Sequence, residues 1–564
     1  RPDIDRRAVE FRVGVYNRFA RVLRDFALEL EIRPRNFREG EPVLRRFAVE
    51  YMGPGQNEYR YRVEMPDFRL WSPEEPWLYL ARVRLFHAEK EIDCRDAAFG
   101  MRKFHMDEEG NPKGTLFLNN RPVLLRGANE MGHLQQCVMR GDYRQLEDDI
   151  LIAKLAHLNY YRVTQRPVQE EIYDYFDMLG MMHQCDFPLF GFLRRNQTAE
   201  ALREVGEMER LIRRHPSTVM VSLINEPMVL RDRPGDEPKY ARRMREKGHR
   251  HLFRDELEAF FAAARRVIYI ENPDRVVKNA EGDYDPPTAE GLSDFHCYTM
   301  WYTNHALPFG KLYKGYLPAI RKGWKTGCGE YGAEGLDNYP LMCRCYPPQW
   351  LPRRPDDPWR PDRIVRAQTW ALHGDWFAEQ RDIRGWIAAS QLHQARAAAW
   401  MTDAFRRRSD RVVSTAVHLL IDAWPSGWMK ALVGADRVPK PAYFALADSM
   451  KPLRIHIRCD RWSAYAGETV EAEVWLLNDT PREFRGCRAV VTLRGAGGDI
   501  ASYGLACSVG AASSACVGRV RLKLPAVGGK RTLFLDAALL APDGRTLDGC
   551  RFRFRVYGRT AWSG

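Results

Sequence analysis

The chain alternates apolar and polar residues with period two at both ends and switches to strand–helix alternation in the middle. In the first hundred residues, Val9, Phe11, Val13 and Val15 share one face, and Phe26, Leu28, Leu30 and Ile32 share another. Tyr59, Tyr61, Val63 and Met65 form a third row, and Tyr79, Ala81, Val83 and Leu85 a fourth, with turn residues such as Gly53-Pro54-Gly55 between rows. Short alternating strands without helical periodicity predict an antiparallel, immunoglobulin-like sandwich. The pattern returns in Pro452–Gly564: Val470, Ala472, Val474 and Leu476 alternate with acids, and Phe552, Phe554 and Val556 with arginines. A second sandwich is predicted there, with a turn at Gly495–Gly498.

Between these ends the period changes. Asn119-Asn120 between Leu116–Asn119 and Arg121–Leu125 predicts a tight hairpin. Eight strand-like stretches follow: Val123–Gly127, Asn159–Val163, Met181–Asp186, Val219–Asn225, Arg275–Asn279, Leu292–Tyr298, Lys325–Glu330 and Val417–Asp422. Helical stretches separate most of them: Asp142–His157, Val168–Leu179, Thr198–Arg214, Leu252–Ile270, Leu307–Arg321, Ile364–Gln380 and Trp386–Arg406, with Pro441–Met450 closing. The fifth unit is poor, because Asp283–Gly291 holds two prolines and little helical signal. Repeated βα units in this number predict a (β/α)₈ barrel. The doubly wound alternative is weaker, since no Gly-x-Gly-x-x-Gly follows the first strand. The expected fold is multidomain α/β plus all-β: a TIM barrel over residues 111–451, flanked by immunoglobulin-like β-sandwiches over 1–110 and 452–564. Long Pro- and Arg-rich loops, Met228–Gly248 and Asp337–Asp362, follow two of the strands, where barrel loops shape sites.

Composition narrows the function classes. The 564 residues are 45% hydrophobic and 29% charged, ordinary for a globular protein. No run approaches the ~20 apolar residues of a membrane helix. The formal charge of +13 points to an acidic ligand or, more simply, to solvated sheet faces, since arginines such as Arg82/Arg84 and Arg551/Arg553/Arg555 alternate with apolar residues. No zinc-finger, helix-turn-helix or RNP pattern supports nucleic acid. The twelve cysteines show no zinc spacing, and no metal set or organic cofactor is expected. No segment assigns a compartment, and a homo-oligomer is a possible assembly.

Two strands end on carboxylates: Val219–Pro227 on Glu226 and Lys325–Gly335 on Glu330. A glutamate ending a buried parallel strand sits where barrels keep their active sites. Two facing each other are the machinery of glycoside hydrolysis. Pro227 is expected to keep Glu226 extended. A partly desolvated carboxyl beside a second carboxylate is the environment a general acid requires. Glu334 is a rival to Glu330, but lies in loop-like Gly-Ala-Glu-Gly.

Three motifs in order carry a resemblance: Leu118-Asn119-Asn120-Arg121-Pro122-Val123-Leu124-Leu125-Arg126-Gly127-Ala128-Asn129, His215-Pro216-Ser217 with Ser222-Leu223-Ile224-Asn225-Glu226-Pro227, and Gly329-Glu330-Tyr331-Gly332-Ala333-Glu334-Gly335. Together they resemble glycoside hydrolase family 2, the β-galactosidase, β-glucuronidase and β-mannosidase family. That family usually carries a further N-terminal jelly roll, absent here, so the chain is a fragment or a member that dispenses with it. The resemblance implies an exo-acting retaining β-glycosidase acting on an oligosaccharide or other glycoside. Glu226 would be the acid/base, Glu330 the nucleophile, and Asn225 a partner of the sugar 2-hydroxyl. It also implies that Arg126 holds a catalytic carboxylate. Asn129, with Glu130 and His133, would reach sugar hydroxyls. Arg162 and Asp186 end the second and third strands, His296 and Tyr298 the sixth, with the tyrosine against the nucleophile. Trp301, Trp424 and Trp428 are candidate stacking platforms. Lys430, in Trp428-Met429-Lys430, resembles the lysine of the glucuronidases' Asn-x-Lys without its asparagine, and a solvated rim lysine is the simpler reading. Asp422-Ala423-Trp424-Pro425-Ser426 resembles mannosidase- and glucosaminidase-type members. A neutral hexoside such as a β-galactoside ranks first, a uronide or mannoside second. The rival from another class is a carbohydrate-binding scaffold with a decayed barrel.

Overall fold

The computed structural model describes residues 1–228, 251–283 and 287–558; most of the loop expected at Met228–Gly248 lies outside them. The first sandwich packs a three-stranded sheet (Pro2–Asp3, Ala8–Asn17, Gly55–Glu64) on a four-stranded one (Val43–Val49, Phe26–Pro34, Tyr79–His87, Lys90–Phe99). Inward residues Val9, Leu30, Ile32, Val63, Tyr79 and Phe99 fill the space between. Outward charges pair across strands: Arg84 with Glu29 and Glu31 at 2.9 and 2.7 Å, Arg82 with Asp96 at 2.7 Å. Much of the arginine excess on these faces is therefore cross-strand pairing.

The hairpin turns at Asn119 and Asn120, both left-handed (φ 51° and 63°), as a type I′ turn requires. The barrel strands, numbered here for the barrel alone, are β1 (Leu125–Glu130), β2 (Tyr160–Val163), β3 (Met182–Asp186), β4 (Thr218–Ser222), β5 (Val276–Lys278), β6 (Ser293–Cys297), β7 (Thr326–Tyr331) and β8 (Val412–Val417). They pair in parallel from β5 back through β1 to β8, β7 and β6. Among the described residues no ladder joins β5 to β6. Outside runs a ring of helices. Tyr143–Leu155, started by Asp142 accepting from the Gln145 N–H at 3.1 Å, buries Leu146, Ile150 and Ala153. Complete burial of such a leucine or isoleucine contributes about 1.5–3 kcal/mol. Helix Glu170–Leu179 stops at Gly180 (φ 68°), where a Cβ would press into the Pro73 carbonyl of the first sandwich.

Four expected elements differ. The first strand begins two residues later than predicted, at Leu125. Helix Leu307–Arg321 shrinks to Phe309–Tyr313, because Gly315 (φ 94°) and then Pro318 break it. Ile364–Gln380 is helical only at Thr369–Leu372 and a following 3₁₀ turn; its Trp370 and Phe377 pack with Trp359 and Trp386 in a cluster of their own. The eighth strand is Val412–Val417, not Val417–Asp422. Both segments are apolar, but Leu419–Ile421 is buried because it threads beneath the mouth loops, where Ile421 bridges Val433. Periodicity cannot separate a buried strand from a buried connection.

The second sandwich pairs Leu453–Arg458, Thr469–Asn478 and Ser513–Lys523 in one sheet. Ser463–Tyr465, Thr546–Tyr557, Lys530–Leu540, Phe484–Gly495 and Gly498–Val509 form the other. It is locked to the barrel by buried ion pairs: Asp479 bridges Arg126 and Arg406 at 3.3 and 3.0 Å, and Asp403 meets Arg454 at 3.1 Å. Trp400 and Trp462 stack across the same junction at 4.9 Å. No described helix is long and apolar enough to cross a membrane.

Candidate active site

The nucleophile candidate is aimed by a bulge. β7 reads Thr-Gly-Cys-Gly-Glu-Tyr. Gly327 and Gly329 face inward, where a Cβ would strike Asp294 and Glu281; Cys328 packs in the outer core. Strict alternation would then turn Glu330 outward. The ladders to β6 and β8 slip a residue here instead, pairing Phe295 with Cys328 but His296 with Glu330. The bulge re-aims Glu330 into the barrel mouth.

Glu330 is almost buried and richly held. Arg162 Nη1 donates to one carboxylate oxygen at 2.9 Å and the Tyr298 hydroxyl to the other at 2.5 Å. His296 and His418 lie at 3.6 and 3.8 Å. Burial alone would raise its pKa, but His296, His418, Arg162 and Lys430 outweigh burial and hold it well below the usual carboxylate range. Arg162 also donates to Asp186 at 2.9 Å and to the Asn225 side-chain amide oxygen at 2.6 Å. One guanidinium on β2 thereby ties β3, the end of β4 and β7 together.

Glu226 follows β4 and is not extended as predicted. Its φ is 46°, because its N–H donates to the Glu281 carbonyl at 2.8 Å and overrides the preference set by Pro227. A left-handed glutamate costs on the order of 1–3 kcal/mol, and such strain gathers at functional sites. Its carboxylate meets His296 Nδ1 at 2.9 Å, and its side chain is 24% exposed against 7% for Glu330. Oxygens of Glu226 and Glu330 and the His296 nitrogen lie within 4.8 Å of one another. Burial lowers the pKa of His296, but the two glutamates overcome it, Glu330 most, and the net shift is upward.

Three predicted contacts are corrected. Arg126 does not hold a catalytic carboxylate: its guanidinium turns away to His157 and Asp479 at the second sandwich, and Arg162 holds Glu330 instead. Asn129 is spent on the backbone, donating to Gly329, Ala416 and Val417 at 2.9–3.3 Å and accepting from Thr164; it knits β1, β7 and β8. Asp186 accepts from Arg162, Ser222, Gln184 and the Gln165 N–H, so it orients the arginine. Glu130 likewise accepts from the N–H groups of Gly132 and Leu134, and His133 is fully buried.

Lys430 is not solvated. It is 6% exposed, and its Nζ lies 3.2 Å from the Tyr298 hydroxyl. It stands 4.8, 5.2 and 4.7 Å from the ring centres of Tyr298, Trp301 and Trp428. This is an aromatic cage for a cation. Burial pulls its pKa down to about 8, against Glu330 and Glu226. Trp301 stacks on Tyr302 at 4.7 Å, whereas Trp424 is 53% exposed on the rim. His418 follows the true end of the eighth strand at Val417, five residues before the predicted end at Asp422, which hides its place at the mouth. Glu226, His296 and Glu330 have the spacing of a metal set, as do Glu281, Asp294 and His296, and Asp174, Asp177 and His215. Within these sets Arg162 and Tyr298 already donate to Glu330, His296 pairs with Glu226, and Lys278 pairs with Glu281 and Asp294. A cavity of about 580 Å³ lies elsewhere, between the first sandwich and the opposite end of the barrel.

Glu334, the rival, accepts from the Gln368 N–H and the Thr369 hydroxyl at 2.9 Å and caps the short helix there. Burial raises its pKa to about 7 from 4.5. The unfolded chain ionises first, so this group's contribution falls as pH rises from 4.5 to about 7 and stays low above. Glu334→Gln is expected to keep turnover within about tenfold and to gain several degrees of Tm, relative to wild type, across that window. Melting curves from pH 4.5 to 8 check it; a flat difference counts against the assignment.

Comparison with known proteins bears on the fold and the family. Residues 112–251 match the family model for the TIM barrel domain of glycosyl hydrolases family 2, and residues 2–102 a second model of glycosyl hydrolases family 2. A β-galactosidase of Leuconostoc mesenteroides is 27% identical over 241 residues, 40% of this chain and 22% of that one. The fold superposes on the β-D-mannosidase of Dictyoglomus thermophilum with TM-score 0.72 at 18% identity, covering 97% of this chain and 64% of that one. For the exo-chitosanase of Amycolatopsis orientalis the TM-score is 0.69 at 15% identity, with 97% and 61% covered. For a Bacteroides uniformis β-glucuronidase it is 0.57 at 17%, with 98% and 60% covered. The chain thus spans less than two thirds of each of these relatives. Through its first sandwich and the first part of its barrel, the chain is thus similar to glycosyl hydrolases family 2.

Proposed function

We propose that the chain is an exo-acting retaining β-glycosidase that removes terminal β-linked sugars from oligosaccharides or other glycosides, without an organic cofactor. The observation that carries this is the approach of the Glu226 and Glu330 oxygens to within 4.8 Å. Retaining sites hold their carboxyls about 5–5.5 Å apart, whereas inverting sites leave roughly 6.5–9.5 Å for a water. Glu330, kept ionised by its cationic neighbours, attacks the anomeric carbon. Glu226 gives its proton to the departing glycosidic oxygen, and a glycosyl ester forms on Glu330. Glu226, now a carboxylate, takes a proton from water as that water attacks the anomeric carbon and releases Glu330. Two inversions leave the β configuration. The Asn225 amide suits a hydrogen bond to the 2-hydroxyl. A 2-fluoro β-glycosyl fluoride is expected to label Glu330, identified by peptide mass. A catalytically silent sugar-binding scaffold takes no label.

A neutral hexoside, β-galactoside first, remains the leading substrate reading, supported by the 27%-identical β-galactosidase segment. The enclosed Lys430 favours a second reading, a uronide, since a caged ammonium offers a charge-assisted hydrogen bond worth roughly 1.5–3 kcal/mol. Catalytic efficiencies on nitrophenyl β-galactoside and β-glucuronide, in wild type and Lys430→Met, decide between them. If the galactoside reading holds, wild type prefers the galactoside. A glucuronide preference that collapses at least tenfold in the variant reverses the ranking.

A further inference from the structure

Beneath the two carboxylates the barrel interior is filled by charge. Lys278, the last residue of β5, is 1% exposed. Its ammonium touches a Glu281 carboxylate oxygen and lies 2.9 Å from Asp294 Oδ2. Asp294 Oδ1 accepts from the N–H groups of Gly282 and Gly329, both at 3.0 Å. Gly329 immediately precedes Glu330. On the other side the Glu281 side chain accepts from Gln184 at 2.5 Å and approaches Arg162 Nε at 3.7 Å. The Glu281 backbone carbonyl takes the N–H of Glu226 at 2.8 Å, and its own N–H reaches the Ile224 carbonyl at 2.9 Å. β7 admits this cluster only because Gly327 and Gly329 lack side chains.

We propose that Lys278 is a positioning residue for both catalytic glutamates: through Glu281 it fixes the backbone of Glu226, and through Asp294 that of Glu330, so its charge sets their separation. The inference rests on Glu226 and Glu330 being the catalytic pair. Without the ammonium, Glu281 and Asp294 lose the cation they share and face each other as buried anions. Glu281 then draws Arg162 from Glu330, and Asp294 releases the β7 bulge. The two anions keep Lys278 charged in place: burial lowers its pKa, and Asp294 and Glu281 raise it beyond that.

Lys278→Met is expected to lower kcat about 10²-fold with KM within about threefold, the effect of a displacement near 1 Å at the reacting groups. The acidic limb of its kcat–pH profile should move to higher pH. The groups facing Glu330 are His296 on β6 and Tyr298 just after it, Arg162 on β2, His418 and Lys430 beyond β8 and Glu226 beyond β4. Of these, Arg162 is the one whose position changes. Lys278→Arg should recover part of the rate. If Lys278→Met does not fold, the double variant Lys278→Met/Asp294→Asn removes one charge of each sign, while the introduced amide oxygen can still accept from the Gly329 N–H; it should fold and stay at least tenfold slow. A wild-type profile in either variant overturns the proposal. Assay of Glu330→Gly on the same substrate separates the two claims. Full turnover there removes the catalytic reading and this proposal with it. An inactive, azide-rescued Glu330→Gly beside an unaffected Lys278→Met overturns this proposal alone.

Discussion

Glu330→Gly is expected to lose turnover by about 10⁴-fold or more on a nitrophenyl β-glycoside, the scale seen when a catalytic nucleophile is removed. Azide at molar concentration should restore part of it and yield a glycosyl azide of α configuration. The vacated side chain leaves room on the α face for a small anion, and Arg162, Tyr298 and Lys430 still supply donors and charge around it. Glu226 still protonates the leaving group, so rescue depends little on the aglycone. In Glu226→Ala the loss should be smaller for good leaving groups, and azide should give the β product, because the anion attacks an intact glycosyl ester without a general base. Product configuration by NMR reads both. An α-azide from Glu226→Ala, or a trapped sugar on Glu334, would sink the assignment.

The second large effect belongs far from the chemistry. Asp479 closes two buried arginines, Arg126 on β1 and Arg406 on helix Ile383–Arg406. Asp479→Ala leaves both charges uncompensated, at a cost of about 3–5 kcal/mol. Urea denaturation should show that loss, while kcat per folded molecule stays within about twofold, since neither arginine touches the carboxylates. Removing Pro452–Gly564 does the same and also strips Trp462 from Trp400 and Arg454 from Asp403. The truncated chain should aggregate before it loses intrinsic activity. A soluble, native-melting 1–451 chain with kcat abolished would show that the sandwich serves catalysis directly.

The sequence discloses what depends on neighbours along the chain and hides what depends on neighbours across the barrel. Alternation over nine- and ten-residue strands, such as Phe26–Pro34 and Ala8–Asn17, repeats often enough to define a face. The strand-then-glutamate pattern at Glu226 and Glu330 is likewise local. Arg126 and Arg162 look alike in sequence, each an arginine within a short apolar stretch. Barrel register turns the first out to Asp479 and the second in to Glu330. A four-residue strand such as β2 is too short for its period to reveal that. The bulge at Gly329 leaves only a glycine as its trace. Lys278 reads as an ordinary strand-end lysine until Glu281 and Asp294 are placed around it.

The unpaired edge between β5 and β6 gives these side chains a second duty. No described backbone ladder closes the barrel there. Instead Lys278 reaches Asp294, Asp294 takes the Gly282 N–H, and His296 meets Glu226. The hoop is buckled by the same groups that ready the carboxylates. If Glu226 is the acid/base proposed above, it changes its bonding to His296 whenever it passes its proton to a leaving group or recovers one from water. On that proposal each turnover loosens and refastens a clasp at the edge where no described main-chain ladder closes the barrel. Amide exchange along Val276–Lys278 and Ser293–Cys297 is then expected to gauge chemistry as well as stability, with a trapped glycosyl ester altering breathing at that edge before the rest of the barrel.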